Sequence, residues 1–73
     1  MAKIKISNNI RRLRFDADEM TQQALADAVE VTRQTIVAME RGSYSPSLEL
    51  AYKIAQVFER TIEEVFSFET KEK

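Results

Sequence analysis

A chain of 73 residues with one glycine, one proline and neither cysteine nor histidine excludes a disulfide scaffold, an ordinary zinc site and nucleophilic chemistry built on histidine or cysteine. So short a chain lies near the lower limit for folding on an apolar core alone, so one domain spanning residues 1–73 is expected, with dimerisation as a means of extending its core. Eleven basic and twelve acidic residues leave a net charge of −1, which argues against a strongly basic polyanion binder, although distribution weighs more than the total.

That distribution is uneven. Lys3, Lys5, Arg11, Arg12 and Arg14 fall within the first fourteen residues, which hold no acid. Arg33 and Arg41 flank the central segment, and acids gather at Asp16, Asp18 and Glu19 and again at Glu59, Glu63, Glu64, Glu69 and Glu72. A dipolar molecule of this kind can turn a basic side to nucleic acid. No apolar run is long enough to span a bilayer and the N-terminus lacks the apolar region of a signal peptide, so a cytoplasmic location is expected, with no membrane partner.

In chain order, Lys3-Ile4-Lys5-Ile6 alternates polar and apolar residues and predicts a short strand. From Ser7 the period becomes helical. Ile10, Leu13 and Arg14 share a stripe, with Ser7 or Asn8 as cap and an end near Asp16. Asp16-Ala17-Asp18-Glu19 reads as a turn. Thr21 caps a second helix over about residues 22–29, with Ala24, Leu25, Ala28 and Val29 as its apolar face. Thr32 caps a third over about residues 33–41, in which Ile36, Val37 and Met39 are apolar. Only Glu30 and Val31 separate the second helix from that cap, so the two helices must cross steeply. Gly42 and Pro46 bracket a loop. A fourth helix follows from Ser45 or Ser47, and Thr61 with Glu64 forms a capping box for a short fifth ending near Phe66. Phe66-Ser67-Phe68-Glu69-Thr70-Lys71 alternates again, and its natural partner is the N-terminal strand.

The segment Met20-Thr21-Gln22-Gln23-Ala24-Leu25-Ala26-Asp27-Ala28-Val29-Glu30-Val31-Thr32-Arg33-Gln34-Thr35-Ile36-Val37-Ala38-Met39-Glu40-Arg41-Gly42 resembles the helix-turn-helix of the Cro/phage-repressor type, the XRE family. Pro46-Ser47-Leu48, Leu50-Ala51 and Ile54-Ala55 downstream match the family pattern, as do Ile10-Arg11 and Leu13-Arg14 upstream. The likeness covers roughly residues 8–66. The terminal strands resemble those of small stand-alone members, such as the cytolysin repressor, that dimerise. Glu30 departs from the pattern, which usually has glycine there. The segment between Arg14 and Met20 is one residue longer than usual.

The resemblance implies a mainly α fold, five helices with a two-stranded antiparallel ribbon from the two termini. It also implies sequence-specific binding of double-stranded DNA, as a nucleoid-associated regulator and repressor. The third helix would enter the major groove. Ala24 and Ala28 would let the second and third helices approach closely, and Ile36 and Met39 would anchor the third. Thr32, Arg33, Gln34, Thr35 and Ala38 would then face bases, where arginine can pair with guanine and glutamine with adenine. Phosphates would be met by Gln22, Arg41, Ser43 and Tyr44. Arg14 and Glu40 occupy family positions that often form a partly buried ion pair. A homodimer on a palindromic operator is expected, because one recognition helix reads too few base pairs for genomic specificity. Ile62, Val65, Phe66 and Phe68, with Ile4 and Ile6 on the ribbon, are its candidate interface, although Phe66 can equally serve the core. No cofactor, metal or small-molecule ligand is indicated, and no residues suggest an enzyme. The alternative is an antitoxin-like or other protein-interaction module that also binds DNA. Few residues outside the domain remain for such a partner.

Overall fold

The computed structural model describes residues 3–71, with side chains over residues 6–68. Its elements are β1 (Lys3–Asn8), α1 (Ile10–Asp16), α2 (Gln22–Val29), α3 (Arg33–Arg41), α4 (Leu48–Val57), α5 (Ile62–Val65) and β2 (Phe66–Lys71). The fold is the expected one, mainly helical with a ribbon of β1 and β2 paired antiparallel. Among the described residues no helix is long and apolar enough to cross a membrane.

Side-chain caps set the helix starts. Thr21, Thr32, Ser47 and Thr61 have extended backbones and accept from the amides of Ala24, Thr35, Leu50 and Glu64. Each satisfies an amide that the helix cannot, worth about 1 kcal/mol. Glu64 returns a bond to the Thr61 amide and completes the capping box.

The start of α1 differs from the sequence expectation. Pairing with Phe66 keeps the strand extended as far as Asn8, so Asn9 takes the cap position and makes no side-chain cap. Asn8 caps from one residue further out, its Oδ1 accepting from the Ile10 amide at 3.1 Å. Its Nδ2 donates to the Met39 carbonyl at 2.9 Å, which ties the ribbon to the last turn of α3.

The helix ends reuse one bonding pattern. After α3, Gly42 has φ 84° and the amides of Gly42 and Ser43 donate to Met39 and Ala38. The same pair of bonds closes α2 at Glu30 (φ 63°) and α4 at Glu59 (φ 56°). These are Schellman closures with glutamate where glycine is the unstrained choice. The lengthened turn after α1 holds two consecutive left-handed residues, Asp18 and Glu19. Replacing Glu30 by glycine relieves the strain at the helix-turn-helix bend, and the one partner it gives up is an exposed 3.8 Å contact with Lys53 of small worth. Glu30→Gly is therefore expected to stabilise the protein by about 1 kcal/mol. Thermal unfolding followed by circular dichroism checks this, with a midpoint about 4–8 °C higher; an unchanged or lower midpoint contradicts it.

Ile10 and Leu13 of α1, Leu25 and Val29 of α2, Ile36 and Met39 of α3 and Leu50 and Ile54 of α4 meet in one core, closed below by Val65 and Phe66. Two expectations are corrected here. Ala24 and Ala28 lie on the exposed side of α2, and the small residue in the core is Ala26. Because α2 packs against both α3 and α4, its buried arc runs through Leu25, Ala26 and Val29. Val65 and Phe66, named for the dimer interface, are 1% and 2% exposed and are consumed by the core of the single chain. Ile62 and Ile6 are half-buried against that core. The side chain of Ile4 lies outside the described residues. Phe68 stands opposite Ile6 in the ribbon, two residues beyond Phe66 on the same face. It is 56% exposed, past the reach of the helices.

Candidate nucleic-acid interface

Thr32 opens α3 and its hydroxyl is used locally, accepting from the Thr35 amide and lying 3.1 Å from the Thr35 hydroxyl. Arg33 and Gln34 follow at the first two helical positions and are exposed. Ile36 and Met39 are buried, which turns the opposite stripe of the helix outward. At 3.6 residues per turn that stripe runs through Gln34, Val37, Ala38 and Arg41. Thr35, Val37 and Ala38 are half-buried and Arg41 is exposed. Val37, grouped by its apolar character with Ile36 and Met39, therefore belongs to the outer stripe.

The attitude of α3 is fixed by a polar cluster beneath it. Arg14 Nε donates to Glu40 Oε2 at 2.7 Å and Nη2 to Glu40 Oε1 at 3.1 Å. Its remaining terminal nitrogen donates to the Met20 carbonyl at 2.8 Å. Gln22 Nε2 adds a bond to Glu40 Oε1 at 3.2 Å. The Arg14 and Glu40 side chains are 13% and 10% exposed. Guanidinium geometry suits this two-pronged grip on a carboxylate, and among the described residues no buried polar side-chain atom lacks a partner. One cluster thus joins α1, the approach to α2 and α3. The ion pair was legible in the sequence. The parts of Met20, Gln22 and Asn8 were not, since each acts through a carbonyl or amide that only the assembled chain brings near.

The residues expected at phosphates divide. Gln22 has one amide N–H engaged by Glu40, leaving the other. Ser43 Oγ donates to the Ala38 carbonyl at 3.2 Å, so its proton is committed to closing α3. Arg41 and Tyr44 are exposed beside it.

Two capped helices joined through a left-handed bend at Glu30, the second clamped from below and free along its outer stripe, define a helix-turn-helix DNA-binding protein. Residues 10–65 match the helix-turn-helix family model. An uncharacterized HTH-type transcriptional regulator of Archaeoglobus fulgidus is 57% identical over 53 residues, 73% of this chain and 75% of the relative. Another, YgzD of Bacillus subtilis, is 42% identical over 64 residues, 88% of this chain and 96% of the relative. The cryptic phage CTXphi transcriptional repressor RstR of Vibrio cholerae is 36% identical over 61 residues, 84% of this chain and 54% of the relative. The chain belongs to the helix-turn-helix family of transcriptional regulators.

Proposed function

We propose that the protein represses transcription by binding a palindromic operator as a homodimer, with α3 of each protomer in the major groove. The observation that carries this reading is the outer stripe of α3, with Arg33 and Gln34 exposed at its N-terminal end on a helix whose other side is clamped by Arg14 and Glu40. Arg33 offers a two-pronged donor to guanine, and Gln34 a donor and an acceptor to adenine. Thr32, Thr35 and Ala38 lie at the margins of that contact. Phosphates fall to Arg41, Tyr44 and the free amide N–H of Gln22, while Ser43 holds the loop that presents them. The name of RstR as a repressor supports the sign of regulation.

Two residues of the ribbon support the dimer. Phe68, a large apolar side chain, is 56% exposed on the single chain. Ile6, its cross-strand neighbour, is only half-buried, so the two leave apolar surface of the kind that marks an interface.

The test separates base readers from phosphate contacts on an operator recovered by selection from random duplexes. Gln34→Ala or Arg33→Ala is expected to lose about 1–3 kcal/mol of discrimination at one base pair of the half-site. Arg41→Ala is expected to weaken all duplexes alike and flatten the salt dependence by about one unit. Unchanged base preference in both α3 variants overturns the proposed recognition face.

A further inference from the structure

We infer that Val37 is a specificity-determining residue that reads the 5-methyl group of a thymine, at the base pair next to the one Gln34 contacts. The inference rests on the proposed docking of α3 in the major groove and adds to it an apolar residue that the motif left without a role.

Val37 does not serve the fold in the way its apolar character suggests. Met20, Val31 and Val57 are half-buried like Val37, but those three pack against the described core and Val37 does not. On its own helix Arg33 and Arg41 stand one turn away on either side. A β-branched residue in an exposed helix interior also stabilises the helix less than alanine would. Val37 therefore occupies the middle of the outer stripe at some loss to the helix and with no core contact in return.

The groove provides what the core does not. Of the four base edges that face the major groove, thymine alone adds a methyl group; the other features are hydrogen-bond donors and acceptors. On the exposed face of α3, Arg33 and Gln34 can answer donors and acceptors, and Arg41 falls to a phosphate. Val37, with the single methyl of Ala38 beside it, forms the apolar ground between them. Val37 lies three residues beyond Gln34, about 4.5 Å further along the helix axis. That displacement is comparable to one base-pair step of about 3.4 Å, which places the thymine beside the base pair that Gln34 reads.

The experiment uses the full chain and the duplex recovered by selection. Each thymine of the half-site is replaced in turn by deoxyuridine, which removes the methyl group and leaves base pairing intact. The wild-type protein is expected to lose about three- to fivefold in affinity at one such position, the worth of one buried methyl. Val37→Ala is expected to bind the thymine operator about as weakly as the wild type binds the uridine one, and to be indifferent to the replacement. Its melting temperature should match or exceed that of the wild type, which separates lost contact from lost fold. A wild-type protein indifferent to every thymine replacement overturns the inference. So does a Val37→Ala variant that keeps the full uridine penalty, which would make Ala38 the reader. If selection enriches no sequence at all, the proposed sequence-specific function falls first, and that result is distinct from either of these.

Discussion

Replacing Arg14 by alanine is expected to destabilise the protein by about 3–5 kcal/mol. The guanidinium is the only cation on the Glu40 carboxylate among the described ion pairs, and Glu40 is nearly buried. Without Arg14 the carboxylate keeps one neutral donor, Gln22, and the Met20 carbonyl loses its bond from the guanidinium. A chain of this length has a total stability of only about 4–11 kcal/mol, so the loss would take a large part of it. Glu40→Ala is expected to do comparable damage by stranding the arginine. Arg14→Lys should be intermediate, since an ammonium cannot span both carboxylate oxygens. Replacing both partners together by methionine and leucine should recover much of the stability, because no charge is then left unpaired. Urea unfolding of the four variants measures this. A loss below about 1 kcal/mol in Arg14→Ala would mean that the pair behaves as a solvated surface contact.

Phe68→Glu is expected to dissociate the proposed dimer and abolish tight operator binding while leaving the helices intact. In a two-fold interface each substitution acts twice. Two phenyl groups leave contact and two carboxylates replace them, so the dimer should weaken by on the order of 5 kcal/mol or more. The protomer should be spared because Phe68 lies beyond the core that Phe66 closes. Sedimentation at micromolar concentration, with helix content followed by circular dichroism, reads both effects. Leu48 and Tyr52, one turn apart on α4 and also exposed, provide the contrast. A dimer that survives Phe68→Glu and dissociates in Leu48→Glu would move the interface from the ribbon to α4.

The helices were legible because local chemistry declares them. Thr21, Thr32, Ser47 and Thr61 cap as their spacing predicts, and α2 and α3 begin and end where caps and periodicity put them. The ribbon was legible in kind but two residues too short at its first strand, because cross-strand pairing with β2, a non-local interaction, holds Ser7 and Asn8 extended. The burial of Ala26 rather than Ala24 and Ala28 depends on α2 meeting two neighbours at once, which periodicity within one helix does not encode. The outward direction of Val37 was not legible for a related reason. Its residue type suits a core, and only the direction of Ile36 and Met39 shows that it faces away. Of the left-handed positions, Glu30 could be anticipated from the glycine usually found there. Asp18 is of a type that visits the left-handed region more readily than most, whereas Glu19 and Glu59 carry no residue-type signal for it. Of the candidate site, the ion pair and the exposed Arg33 and Gln34 followed from the motif. The commitment of Ser43 to the α3 carbonyl and of Gln22 to Glu40 required the assembled geometry.

The central claim is that α3 of a symmetric pair reads DNA sequence, and selection from a pool of random duplexes tests it most directly. The wild-type protein should enrich a palindrome whose half-site centres lie about 34 Å apart, one helical turn. An Arg33→Ala/Gln34→Ala double variant should lose preference at the base pairs those side chains read in each half-site while keeping the spacing. Failure of the wild type to enrich any sequence, or enrichment of the same motif by the double variant, would contradict the claim.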